Sequence, residues 1–110
     1  MNKKNNQKGK SVMDLPLRQL RVDDLSLEEK VGQMLCFAFH GTEYNEQLET
    51  QIKELKLGGV IHFARNIINN EQVKKLNADI QKNADIPMFI GIDQEGGMVV
   101  RLFKDVTFPA

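Results

Sequence analysis

Cysteine is nearly absent from this sequence, and that absence limits the possible chemistry. Cys36 is the only cysteine among 110 residues, so the chain can form neither an internal disulfide nor a multi-cysteine metal site. Its neighbours Met34, Leu35, Phe37 and Ala38 are apolar. We therefore predict that Cys36 is buried core filler with an unreactive thiol.

The chain also lacks net charge and long apolar runs. Its 15 basic and 15 acidic residues balance, which leaves no field that would hold a nucleic-acid backbone. No stretch approaches the ~18 to 20 consecutive apolar residues of a membrane span, and the start lacks the apolar segment of a secretory signal. The sequence therefore predicts a cytoplasmic protein that binds neither nucleic acid nor membrane.

The length accommodates one domain at most. Residues 1–14 begin with a run of Asn, Lys, Gln, Gly and Ser that has almost nothing to bury, and they predict a disordered polar leader. Regular apolar spacing begins at Leu15, so residues 15–110 form the predicted domain.

Three short apolar segments predict β-strands. Residues 31–39 are almost continuously apolar, as expected of a strand covered on both faces, and this strand meets the preceding helix near Gly32. Residues 59–64 predict a second strand. A third, over residues 88–92, begins after Pro87.

Segments with helical spacing alternate with these strands. Ser26 and Glu29 match a capping box, which predicts a short helix from Leu27. Residues 45–57 predict a second helix, which the glycines at 58–59 stop. The third takes its cap from Asn69 or Asn70. The positions predicted to be buried on the second and third helices are Leu48, Ile52, Leu55, Val73, Leu76, Ile80 and Ala84.

The alternation of strands and helices predicts the fold class. Connections too long for hairpins imply parallel strands, right-handed crossovers and helices on the outside, so the fold is α/β. Polar side chains follow all three predicted strands, at the edge where loops of a parallel sheet converge. They are His40, Arg65, Asn66, Asp93 and Glu95. This set is suited to hydrogen bonding with the hydroxyls of a polar ligand.

Asp93 and Glu95 allow two interpretations. If the third strand continued through both, their carboxylates would lie on one side, roughly 6.5 to 7 Å apart along the chain. That spacing suggests the catalytic pair of a two-carboxylate hydrolase. The alternative, which the spacing alone favours, is a ligand-binding or structural role. In it Asp93 accepts hydrogen bonds from the loop, and Glu95 pairs with Arg101 or Arg65.

The glycines and histidines carry weaker signals. Gly96 and Gly97 lack the remaining residues of a phosphate-binding loop, and the simpler interpretation is a turn with unusual dihedral angles. His40 and His62 lie in different segments without metal-ligand spacing. We predict that both are hydrogen-bonded structural histidines, with no metal site.

Three blocks of sequence resemble a known family. They are LSLEEKVGQML at residues 25–35, LGGVIHFARN at 57–66 and IGIDQEGGMVVRL at 90–102, followed by TFPA at 107–110. Over residues 15–110 the chain resembles the start of the glycoside hydrolase family 3 catalytic domain, in its bacterial β-N-acetylhexosaminidase (β-N-acetylglucosaminidase) branch. The resemblance implies the first three strands of a (β/α)8 barrel, whose active site lies at the carboxyl ends of the strands.

The resemblance also implies specific roles. Asp93 matches the Asp that binds sugar hydroxyls in the N-acetylglucosamine subsite. The family's nucleophile, an Asp, and this branch's acid/base, a His, come from later segments, so no catalytic residue is expected in this chain. Arg65, Asn66, Glu95 and Arg101 are expected to orient the loops around the site. Met98 departs from the pattern, since the branch commonly has a basic residue there.

Two functions follow as expectations. The first is hydrolysis of terminal β-linked N-acetylglucosamine, as in peptidoglycan fragments, by a longer retaining glycosidase that needs no cofactor, with this chain, cut after the third strand and its loop, inactive alone. The second is a non-catalytic α/β module that binds a polar ligand through Asp93, Arg65 and His40. A cooperatively melting, monodisperse chain would favour the second, because a barrel fragment exposes apolar strand edges.

Overall fold

A computed structural model of the protein describes residues 20–102. The predicted leader lies outside the described residues. Two short 3-10 turns, Val22–Asp24 and Ala64–Asn66, accompany the regular elements. In chain order these are α1 (Leu27–Gln33), β1 (Cys36–Ala38), α2 (Glu46–Lys53), β2 (Gly59–His62), α3 (Asn70–Asn83) and β3 (Phe89–Ile92).

The three strands form one parallel sheet in the order β1-β2-β3, which confirms the predicted fold class. In its register Cys36 lies beside Gly59, which lies beside Phe89. Because all the strands run the same way, their carboxyl ends meet at one edge of the sheet. This edge carries the candidate site. Within residues 20–102, no helix is both long and apolar enough to cross a membrane.

The first helix begins as predicted, but it extends into the segment that was predicted to be the first strand. The Ser26 hydroxyl accepts from the Glu29 amide at 3.2 Å, and the Glu29 carboxylate accepts from the Ser26 amide at 2.8 Å. Once capped, the helix continues through Val31, whose side chain is 51% exposed. The prediction of one strand over residues 31–39 was therefore wrong, since β1 begins only at Cys36.

The second helix also differs from the prediction at its end. Asn45 caps it, and Leu48 and Ile52 are buried as predicted. The helix ends at Lys53, so Leu55 no longer follows the helical stripe and is 45% exposed. The prediction that the glycines at 58–59 stop the helix was wrong.

The third helix confirms its predicted cap and stripe. The Asn69 side chain accepts from the Gln72 amide at 2.8 Å. Three of the four predicted positions are buried, while Ala84, just beyond the helix, is partly buried against the core. The buried core residues of the cluster are Phe39, Leu48, Ile52, Leu57, Val60, Leu76, Ile80 and Met88.

The two faces of the sheet have different environments. Val60 and Ile90 belong to the face that α2 and α3 cover. On the opposite face Phe89 is 83% exposed and Cys36 is exposed. The prediction that Cys36 is buried was therefore wrong, because its strand position places it on the face away from the helices.

Candidate functional site

Three loops at the carboxyl edge of the sheet carry the predicted site residues. His40 is exposed after β1, Arg65 and Asn66 lie in the turn after β2, and Asp93 directly follows β3. Glu95 is exposed two residues further on. The fold therefore places all five predicted polar residues in loops at the same edge of the sheet.

Asn66 joins the first two of these loops. It is fully buried, and its Nδ2 donates to the Phe39 carbonyl at 3.1 Å and to the Gly41 carbonyl at 2.8 Å. Its Oδ1 accepts from the Phe63 amide at 2.9 Å. Arg65 Nε donates to the same Phe39 carbonyl at 3.1 Å, and its guanidinium lies 5.0 Å from the centre of the Phe63 ring. Both side chains therefore hold the loop after β1.

Further amide side chains, which no sequence pattern predicted, bind the backbone of this loop and of the last residue of β1. Asn45 donates to the His40 carbonyl at 2.7 Å, Gln47 accepts from the His40 amide at 3.0 Å, and Gln51 donates to the Ala38 carbonyl at 3.2 Å. Gln72 donates to the Thr42 carbonyl. These residues are spread over two helices and their caps, so no local motif marks them.

We expect Asn66→Ala to destabilise the protein by about 3 kcal/mol, because it removes three hydrogen bonds of a fully buried side chain and leaves the Gly41 carbonyl and the Phe63 amide without this partner. The measurement is the free energy of unfolding in urea, with Asn83→Ala as the control. The Asn83 side chain makes one bond, to the Asp79 carbonyl within its own helix. A loss in Asn66→Ala no larger than in the control would contradict the prediction.

The loop after β3 has a defined shape. The strand ends at Ile92, so Asp93 and Glu95 do not share one face of a strand, and the premise of the carboxylate-pair spacing was wrong. Glu95 N donates to the Val99 carbonyl at 2.9 Å. Gly96 and Gly97 have φ of 80° and 54°, which confirms the predicted turn with unusual dihedral angles.

Two charged groups of this loop have unused hydrogen-bonding capacity. Among residues 20–102, the partly buried Asp93 carboxylate makes no hydrogen bond or ion pair, so the prediction that it accepts hydrogen bonds from the loop was wrong. Arg101 Nε is buried and likewise has no partner in the described part of the chain. No ion pair joins Glu95 to Arg101 or Arg65 within those same residues, so that predicted pairing was wrong. Asp93 therefore offers an acceptor at the sheet edge that no residue from 20 to 102 occupies.

The two histidines differ. His62 is 2% exposed, its Nε2 lies 2.6 Å from Asn77 Oδ1, and its ring packs edge-on against Phe39 at 5.5 Å. This confirms the structural role predicted for His62. For His40 the prediction was wrong, because only its backbone makes hydrogen bonds within the described residues.

The environment of Tyr44, at the end of the loop after β1, predicts that the stability of the folded protein depends on pH. Burial, and secondarily the Glu49 carboxylate, raises the pKa of Tyr44 above 10.0. Folding therefore favours the neutral phenol, and this stabilisation is lost as the pH rises from about 10 through the raised pKa. The hydroxyl is also buried without a partner among residues 20–102.

We expect Tyr44→Phe to keep or gain up to about 1 kcal/mol of stability at pH 7, since it removes an unsatisfied polar group. Urea unfolding measured at pH 7 and at higher pH should show a smaller alkaline loss than in the parent chain. A Tyr44→Phe variant that is destabilised at pH 7, or that keeps the full alkaline loss, would refute this assignment.

The described residues thus form consecutive βα units of a parallel α/β protein, with polar loops gathered at the carboxyl edge. The sequence profile described as "Glycosyl hydrolase family 3 N terminal domain" matches residues 26–110. The chain belongs to this family. Its three strands accordingly form the N-terminal part of a (β/α)8 barrel, and the exposed face with Phe89 is the one that a closed barrel turns inward.

Individual relatives agree with this assignment. A beta-hexosaminidase of Photobacterium profundum is 40% identical over 67 residues, which is 61% of this chain and 20% of that protein. A glycoside hydrolase family 3 β-N-acetylglucosaminidase from Paenibacillus sp. superposes with a TM-score of 0.72 at 44% identity, over 76% of this chain and 16% of that one.

A third relative was solved with a bound sugar derivative. NagZ from Neisseria gonorrhoeae, in complex with N-trifluoroacetyl-D-glucosamine, superposes with a TM-score of 0.61 at 30% identity, over 67% of this chain and 22% of that one. This chain spans about a fifth of the length of the curated relatives that it matches.

Proposed function

We propose that this chain forms the N-terminal part of a retaining glycosidase that hydrolyses terminal β-linked N-acetylglucosamine, as found in peptidoglycan fragments. The observation that carries the proposal is the position of Asp93 and the state of its carboxylate. In a chain of family 3, it stands at the carboxyl end of β3 with its carboxylate unbound by any residue from 20 to 102. The names of the relatives, beta-hexosaminidase and β-N-acetylglucosaminidase, support the same substrate class.

The role of Asp93 in this proposal is binding. Its carboxylate accepts hydrogen bonds from sugar hydroxyls and so fixes the sugar at the sheet edge. In a retaining mechanism another carboxylate attacks the anomeric carbon, and an acid protonates the leaving oxygen. The family resemblance assigns both of these groups to segments after Ala110, so we propose no catalytic residue among residues 1–110.

We propose that Arg65, Asn66, Glu95 and Arg101 orient the loops around the sugar. The hydrogen bonds of Arg65 and Asn66 to the Phe39 carbonyl support this role for the first two. Arg101 lies in the loop that Asp93 begins, and its buried Nε has no hydrogen-bond partner among residues 20–102. The domain start near residue 15 and the cytoplasmic location stay predictions from the sequence. Family membership favours this function over the non-catalytic binding module.

A chimeric enzyme tests the function. Residues 26–110 replace the matching segment of the Paenibacillus β-N-acetylglucosaminidase, and hydrolysis of 4-nitrophenyl N-acetyl-β-D-glucosaminide is measured for the chimera and for the 110-residue chain alone. We expect a folded chimera to hydrolyse this substrate and the chain alone to be inactive. Hydrolysis by the chain alone would overturn the placement of the chemistry, and a folded but inactive chimera would overturn the proposed function.

A further inference from the structure

Gln94 makes more hydrogen bonds to the carboxyl-edge loop than any predicted site residue in that loop. Its Oε1 accepts from the amides of Arg101 at 2.8 Å and Leu102 at 3.2 Å. Its Nε2 donates to the Leu102 carbonyl at 2.9 Å. One side chain thus pairs with the returning backbone as a neighbouring β-strand would.

These bonds close the loop that starts at Asp93. Inside the loop, only the Glu95 amide to the Val99 carbonyl and the Val99 amide to the Gly96 carbonyl are bonded, at 2.9 and 3.1 Å. Glycine at two turn positions leaves this segment many accessible backbone conformations when it is not held. Gln94 therefore supplies most of the bonds that tie the exit of the loop to its entry.

The neighbouring residues Asp93 and Gln94 differ in their hydrogen bonding. The Asp93 carboxylate binds no residue within 20–102, whereas the adjacent Gln94 side-chain amide makes three hydrogen bonds to backbone. The clamped residue Arg101 carries a buried Nε without a partner in that same range. An acceptor and a donor that no described residue occupies thus lie at the two ends of one loop, which a single amide closes.

We propose that Gln94 is a positioning residue for sugar binding, because it holds Arg101 and Asp93 in one fixed arrangement at the sheet edge. The proposal rests on the proposed function of the site. Preorganisation of this kind lowers the ordering cost of binding, and displacement of a binding group by about 1 Å can cost about 100-fold.

The chain offers a matched control in Gln81. Its Nε2 donates to the Met88 carbonyl at 2.8 Å, and its Oε1 accepts from the Met88 amide at 2.9 Å. This is the same kind of amide clamp on backbone, but it lies at the start of β3, at the opposite end of the sheet from the site. Gln81→Met therefore measures the purely structural cost of losing such a clamp.

The first experiment measures kcat and KM of the chimera carrying Gln94→Met, Gln94→Glu or Gln81→Met. We expect Gln94→Met to raise KM at least tenfold with a smaller change in kcat, since it weakens binding in both ground and transition states (about 1.4 kcal/mol per tenfold). Gln94→Glu keeps both acceptor bonds and should be intermediate, and Gln81→Met should leave KM within about twofold. A KM in Gln94→Met equal to that of the parent or of Gln81→Met would overturn the proposal.

The second experiment separates this proposal from the proposed function. Amide hydrogen exchange of the chimera should be faster at Arg101 and Leu102 in Gln94→Met, while exchange at the Val60 amide stays unchanged. The Gln81→Met chimera should show parental exchange at Arg101 and Leu102. If the unsubstituted chimera is folded but inactive, the proposed function fails, and this exchange pattern still decides whether Gln94 fixes the loop. Unchanged exchange at Arg101 and Leu102 would overturn the positioning role.

Discussion

Gly58→Ala is expected to destabilise the protein by about 3 kcal/mol or more, enough to prevent folding of a small domain. A Cβ at Gly58 would lie 2.2 Å from the Gln33 carbonyl oxygen, and one at Gly32 would lie 2.3 Å from the Lys56 carbonyl oxygen. Both obstacles are backbone atoms, so no rotamer change relieves them. The close approach also carries the 2.8 Å bond from the Gly58 amide to the Gly32 carbonyl.

The measurement is the yield of soluble protein and the urea midpoint of the helical circular dichroism signal. Gly91→Ala is the matched control, because a Cβ there would meet its nearest atom, the Val60 carbonyl oxygen, at 3.9 Å, an ordinary contact. If Gly58→Ala unfolds at the same urea concentration as Gly91→Ala, the backbone of α1 and the start of β2 can move apart to accept a methyl group, which contradicts the prediction.

Asp93→Asn is expected to lower kcat/KM of the chimera about 100-fold, the cost of losing charge-assisted hydrogen bonds to the sugar. Asn keeps the size of the side chain, so the loop should keep its shape. Asp85→Asn is the control, since Asp85 is exposed, lies before β3 and pairs with Lys53 at 3.7 Å. It should change kcat/KM less than twofold. An Asp93→Asn chimera with parental kcat/KM would remove Asp93 from the binding site.

The carboxylate-pair hypothesis makes a different forecast for the same variant. If Asp93 were itself the nucleophile or the acid, Asn would abolish turnover, and the 110-residue chain would carry part of the chemistry. A loss confined largely to KM is the signature of binding. The end of β3 at Ile92 already removes the regular strand geometry on which that hypothesis depended.

Several elements could be predicted because their signals are local. The Ser26 and Glu29 capping box and the Asn69 cap act within three residues, and both are present. The stripe of Val73, Leu76 and Ile80 reflects the helical period alone. These signals also place Asp93 at the end of a strand, which is why it could be selected before any contact was known.

Other features depended on partners far along the chain. Asn66 binds carbonyls 25 and 27 residues away, and Gln72 reaches one 30 residues away. The position of Asn66 after a strand could be predicted, but its distant partners could not, and a glutamine on a helix such as Gln72 has no distinctive spacing. The exposure of Cys36 likewise depends on which face of the sheet α2 and α3 cover, which its apolar neighbours in sequence do not determine.

The sequence by itself determined the order of the elements, their parallel arrangement and the residues at each strand end, because capping, periodicity and crossover length act over short distances. The tertiary structure alone decided which of these residues are free to bind a ligand. Hydrogen bonds between loops occupy the side chains of Asn66 and Gln94, whereas the Asp93 carboxylate has no partner within residues 20–102. That difference arises only when separate strand ends are brought to one edge of the sheet.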